Sequence, residues 1–200
     1  MVFFYQNIRI LDTFKFFMVA QNNIFHDPLY PLSLIRRIRG VPKLVYQEVD
    51  SNEIPEPYYS LLVHEGDMTS RLESYHENAI KVRKLSSSND GKAYFREVLL
   101  VTMESLKPTE YGAIEITLKN LEEEQRSLVI EGKQPLGGIL NDARIPYSSA
   151  PRAFLKILPD NPMVEAFGSV EADHLYGRSN EITSYNGDII ARIVEILPSL

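Results

Sequence analysis

Cysteine is absent from the 200 residues, which excludes disulfides, thiolate catalysis and cysteine-ligated zinc. Long apolar runs are missing too: no stretch approaches the ~18–20 residues that a membrane-spanning helix needs. The opening MVFFYQNIRILDTFKFFMVA is apolar, but Arg9, Asp12 and Lys15 interrupt it and leave no uncharged core for a signal peptide. There is no low-complexity tract, nucleophile elbow, phosphate-binding loop or dinucleotide fingerprint. A cytoplasmic protein is the expectation. Positive charge is in deficit, with 21 Lys and Arg against 27 Asp and Glu, a net charge of -6 and a pI of about 5.3. That balance argues against general affinity for nucleic acid or an anionic membrane. An anionic ligand would need a local basic site.

What is present fits one generous domain with a terminal arm. In residues 1–57, Asp12 is placed to cap an apolar helix through Phe14, Phe17 and Met18. PLSLIRRIRG (Pro31–Gly40) reads as a second short helix closed by glycine. Its Arg36, Arg37 and Arg39 form either a binding patch or, more simply, a solvated helix face. The proline- and charge-rich SNEIPEPYY (Ser51–Tyr59) places the boundary of the main domain, residues 58–200.

Within the main domain the pattern alternates between helix and strand. GDMTSRLESYH (Gly66–His76) predicts a helix with Leu72, Tyr75 and Ala79 as its stripe. Ser70 and Glu73 fit a capping box, and Asp67 or Thr69 compete as caps. Ala79–Leu85 predicts a strand, SSSNDGK (Ser86–Lys92) a hairpin loop, and AYFREVLLVTM (Ala93–Met103) the returning strand. YGAIEITL (Tyr111–Leu118) alternates cleanly, with Ile114, Ile116 and Leu118 on one side. NLEEEQRSLVIEG predicts an amphipathic helix ended by Gly132. Pro135 opens a further helix in KQPLGGILN, whose two early glycines need a reason such as close approach of a ligand or another backbone. LYGRSNEITSY and IIARIVEILP join at Asn186-Gly187, a strong hairpin signal. Clustered strands with helices between them predict an α+β domain with an antiparallel sheet.

Two charges break this pattern. Alternation puts Tyr94, Arg96, Val98 and Leu100 on one face of their strand and Phe95, Glu97, Leu99 and Val101 on the other. Both faces are apolar, so at least one of Arg96 and Glu97 points into an interior, where an unpaired charge is costly. An inward arginine suggests a pocket for a small carboxylate. In the last strand Glu195 shares a face with Ala191, Ile193 and Leu197, while Arg192 lies opposite. Glu195 is either half of a structural ion pair or a proton donor or acceptor facing Arg96 across a dry cavity. His64, Glu65, Asp67 and His76 match no known metal-ligand spacing, and Ser86–Ser88 read as loop residues.

Four segments in order, GDMTSRLE, YFREVLL, PLGGIL, and YGRSNEI followed by ARIVEILP, resemble the chorismate pyruvate-lyase family, most closely its chorismate lyase-like branch. The resemblance runs from about Leu61 to Pro198. It implies a six-stranded antiparallel sheet with helices enclosing an internal ligand cavity. It also implies an enzyme that eliminates pyruvate from chorismate to give 4-hydroxybenzoate, a quinone or related aromatic precursor, without cofactor or metal. Arg96 and Glu195 stand at the positions of the family's catalytic pair. Met68 and Thr69 at one helix start, and Leu136 and Gly137 at another, stand where the family binds substrate carboxylate. Chorismate would be the partner, with no nucleic acid and no membrane.

The chain departs from the family pattern by one residue near Glu195, a shift that reverses a side chain's facing unless a bulge absorbs it. The same fold also serves as the effector domain of GntR-type transcription regulators, so a non-catalytic module binding an aromatic carboxylate is the alternative. A third reading is an enzyme of this fold acting on another enolpyruvyl or aromatic acid.

Overall fold

The computed structural model describes residues 27–200; the helix expected after Asp12 lies outside the described residues. A single antiparallel sheet organises the chain. Its strands are β1 (Tyr46–Val49), β2 (Ile80–Asn89), β3 (Ala93–Thr102), β4 (Pro108–Thr117), β5 (Tyr147–Ile157), β6 (Leu175–Ser184) and β7 (Ile189–Ile196), in the order β1-β5-β6-β7-β4-β3-β2. The helices are α1 (Leu32–Ile38), α2 (Tyr58–Leu62), α3 (Met68–His76), α4 (Glu123–Glu131), α5 (Leu136–Asp142) and α6 (Asn161–Phe167). The class is α+β, as the alternation implied.

The expected six strands are corrected to seven. The strands not located in the sequence are β5 and the short edge strand β1, which pairs with it from Tyr46↔Ile157 to Val49↔Phe154. Four residues of an edge strand, with Gln47 and Glu48 exposed, are too short to register as alternation. The hairpin loop expected from Ser86 is also shorter than its composition suggests. β2 runs on to Asn89 through an irregularity between Lys84 and Ser86. As an edge strand it has no need of apolar residues on both faces, so its serines do not end it. The Asn186-Gly187 turn forms as expected, with Gly187 at φ +83°.

Both faces of the sheet are covered. On one, Phe95, Leu99, Val101, Val194 and Ile196 pack with Leu32 and Ile35 of α1 and Met163 and Phe167 of α6. On the other, two clusters form. Ile116, Ile182 and Ala191 pack with Val129 of α4 and Ile139 and Leu140 of α5, and Val98 and Leu100 pack with Leu61 of α2 and Met68 and Leu72 of α3. The alternation in β3 is as read: Phe95 and Leu99 serve the first face, Val98 and Leu100 the second.

Helix ends follow side-chain chemistry. Asp67 is the cap of α3, accepting from the Ser70 N–H at 2.8 Å, and Glu73 accepts from the Ile80 N–H instead of closing a capping box. The α3 stripe is Met68 and Leu72, while Tyr75 is exposed. Gly132 closes α4 at φ +72°. Arg36 does not join a solvated face: it is buried, donates to the Pro42 carbonyl and pairs with Asp160. Among the described residues no helix is long and apolar enough to cross a membrane.

Candidate functional site

Between the two clusters on the second face the sheet floor opens into a cavity. Two register rows of the sheet run beneath it, and every member except Arg178 lines it. Arg96, Ile114, Ile193 and Asn180 are register neighbours across β3, β4, β7 and β6, and Val98, Gly112, Glu195 and Arg178 form the next row. Laterally paired residues share a face, and so do residues two apart. Arg96 and Glu195 therefore point to the same side, and both line the cavity. The roof comes from the starts of α3 and α5: Asp67, Met68 and Thr69, and Pro135, Leu136 and Gly137. All six residues singled out from the sequence meet here. The space open to the centre of a water-sized sphere is about 70 Å³, against roughly 10–15 Å³ for one water. It is the size of a small-molecule site.

The adjacent charges in β3 have opposite fates. Glu97, on the far face, pairs with Arg39 and accepts from the Tyr111 hydroxyl at 2.5 Å and the Ser86 hydroxyl at 3.0 Å. Arg96 is 3% exposed. Its Nη2 donates to the Gln134 carbonyl at 3.1 Å, while Nε and Nη1 have no partner among the described residues. Burial lowers the pKa of the Arg96 guanidinium. A buried cation with two unused donors is a place for an anion.

Two further buried charges were not anticipated. Arg178 is fully buried; its Nε donates to the Glu195 carboxylate, and its Nη1 donates to the carbonyls of Leu62 at 3.0 Å and His64 at 2.9 Å. The pair carries Glu195 on the cavity wall as half of an ion pair. Burial and the Arg178 guanidinium lower the pKa of the His64 imidazole to about 4.

Glu110 lines the cavity beside Glu195, and its Oε2 is buried without a partner. Burial, with the Glu195 carboxylate adding and Arg178 opposing, pushes its carboxyl well above the usual range. Gly112 makes room for it: a Cβ there would lie 2.8 Å from the Val194 carbonyl and 2.9 Å from Glu110 Oε1. Arg178 was legible as a charge alternating with Tyr176, Asn180 and Ile182. Glu110 was cut off by starting its strand at Tyr111.

Asn180 donates to the Ser149 hydroxyl at 2.9 Å, and its Oδ1 is buried without a partner. Of the two glycines in α5, Gly137 answers to close packing, since a Cβ there would meet the Asp67 Cβ at 3.0 Å; Gly138 has open space. Among the described residues no cluster of three or more metal-ligating side chains occurs.

No protein-family model matches the chain, and no curated protein is similar to it. Solved structures are. PhnF from Mycobacterium smegmatis superposes with a TM-score of 0.52 at 9% identity, over 68% of this chain and 65% of that one; the chain thus spans less than two thirds of PhnF. A ligand-binding domain assigned to the GntR family of transcriptional regulators, from Bordetella bronchiseptica, gives 0.42 at 11% identity, over 58% of this chain and 83% of that one. A GntR-family regulator from Bacillus cereus gives 0.44 at 12%, over 60% and 91%. Only the first exceeds 0.5, and at 9% identity it shows a shared fold and nothing finer.

The expectation of a chorismate lyase is corrected on this ground. The similar structure above 0.5 is PhnF, not a lyase, and the GntR-family matches below 0.5 carry no weight here. The lyase activity and the quinone-precursor role fall together. Glu195, expected as the acid–base partner of Arg96, is paired with the Arg178 guanidinium.

Proposed function

We propose that the chain is a non-catalytic module that binds a small aromatic carboxylate in the cavity over β3, β4, β7 and β6. The observation that carries this reading is Arg96, a buried guanidinium on the cavity wall with two nitrogens unpartnered among the described residues. A ligand carboxylate would supply the missing partner, and the recovered hydrogen bonds, made in a low dielectric, would supply much of the affinity. The apolar wall of Val98, Leu100, Ile114, Ile182 and Ile193 offers flat contact to a ring. Main-chain groups of Met68 and Thr69, and of Leu136 and Gly137, close over it. The likeness in fold to PhnF supports a soluble-ligand receptor only at the level of architecture.

Calorimetric titration with 4-hydroxybenzoate tests this. Binding is expected, and Arg96→Ala should weaken it about 30-fold or more, the usual effect of truncating one partner of a buried charge pair. Unchanged affinity in that variant would overturn the reading. Release of pyruvate from added chorismate would overturn its non-catalytic half.

A further inference from the structure

Away from the cavity, the two edges of the sheet are unlike. β1 closes one edge with 4 residues, of which Gln47 and Glu48 are exposed. β2 closes the other with 10, and no strand among the described residues pairs with its outer side. An edge of that length presents a row of main-chain donors and acceptors to any extended chain.

Two features of β2 say which chain. From Asn78 to Asn89 the sequence carries Lys81, Arg83 and Lys84 and no acidic residue, in a protein of net charge -6. Arg83 and Lys84 are exposed and Lys81 is half-buried. None of the three forms an ion pair among the described residues. Such side chains guard an edge against neutral or basic strands, and they attract an acidic one.

Beyond the irregularity between Lys84 and Ser86 the edge changes character. Ser86 and Ser88 pair with Glu97 and Phe95, so they lie on the sheet's first face. They border a groove walled by Ile35, Ile38 and Phe95, with about 170 Å³ open to the centre of a water-sized sphere. Ile38 is 46% exposed. Side chains on that face of an added strand would enter the groove, because alternate residues share a face.

We propose that the outer edge of β2 takes up an extended acidic segment of a partner protein as a further antiparallel strand. Antiparallel pairing continues the pattern of the whole sheet. It places the partner's acidic half beside Lys81, Arg83 and Lys84, and the half before it, with an apolar anchor for the groove, beside Ser86–Ser88. Main-chain hydrogen bonds supply affinity, while the charges and the groove supply selectivity. A second copy of this chain fits less well. Its β1 is short, and its β2 brings the same cations.

The test uses the whole chain and a synthetic peptide matched to β2 in length, alternating leucine and threonine in its first half and glutamate and aspartate in its second. The peptide should bind and should slow hydrogen exchange at alternate amides of β2. Replacing its acidic residues by lysine should weaken binding about tenfold or more. Lys81→Glu with Arg83→Glu should weaken binding of the acidic peptide by a similar factor. The two peptides on the unaltered protein decide the matter even if that variant fails to fold. Equal binding of the two, binding by neither, or binding that leaves β2 amides unprotected would overturn the inference. Sedimentation of the chain alone supplies the last check: a dimer that protects the β2 amides would give the edge to a second copy and overturn it too.

Discussion

Arg178 and Glu195 face each other directly in the β6–β7 ladder, and the guanidinium donates to the carboxylate with both side chains buried. The pair is held from above, because Arg178 also donates to the carbonyls of Leu62 and His64, in and after α2. It therefore ties the segment leading into the cavity roof to the sheet floor.

Removing one member should be far worse than removing both. Glu195→Leu alone strands the Arg178 charge in the interior and should cost about 3–5 kcal/mol. Arg178→Met with Glu195→Leu should recover much of that loss, because apolar replacement of a buried pair is often close to neutral. Urea denaturation of the two single variants and the double variant gives the coupling energy. Additive single effects would show that the pair does not act as a unit.

Arg96 predicts the opposite trade. Its guanidinium is buried with one hydrogen bond, to Gln134, and no carboxylate partner among the described residues. Arg96→Met keeps the stem's volume and removes the uncompensated charge. The unliganded protein should gain about 1–3 kcal/mol while losing affinity for carboxylates. Thermal unfolding with and without 4-hydroxybenzoate measures both: a higher midpoint without ligand and no further rise with it. A fall in the unliganded midpoint would mean that the guanidinium contributes to the fold.

Much of this site was legible because a charge inside a period-2 apolar pattern is visible without knowing its partner. Alternation assigned Arg96 and Glu195 to inward faces, and the sheet register then brought them together. The one-residue departure near Glu195 did not reverse it, because facing is set by Gly112 and Ile193, not by spacing in other chains. Partners were not legible. Arg39 is 58 residues from Glu97 and His64 is 114 from Arg178, and nothing local encodes such pairings. Glu110 was missed for a different reason. It stands beside Pro108 and Thr109 at the start of β4, where proline and a polar residue read as connector. β1 escaped because four residues hold barely two periods, and β5 because serines, Pro151 and Arg152 interrupt its apolar alternation.

Glu110 and His64 should give stability opposite slopes with pH. Burial raises the Glu110 carboxyl well above its ordinary 4.5, with Glu195 from β7 adding and Arg178 from β6 opposing. The folded chain then holds a proton that the unfolded chain has released. Its contribution is fully present below about 4.5 and is lost as pH rises towards the raised folded value. His64 runs the other way. Burial, Arg178 and Arg71 lower it from 6.5 to about 4, with Asp67 opposing. The unfolded chain takes up the proton first, so the contribution of His64 is present above 6.5 and is lost as pH falls towards 4. In denaturation curves from pH 4 to 8, Glu110→Gln should gain stability relative to the parent as pH rises. His64→Gln should gain relative to the parent as pH falls below 6.5. A Glu110→Gln difference that stays constant with pH would show that Glu110 titrates alike in the folded and unfolded chain.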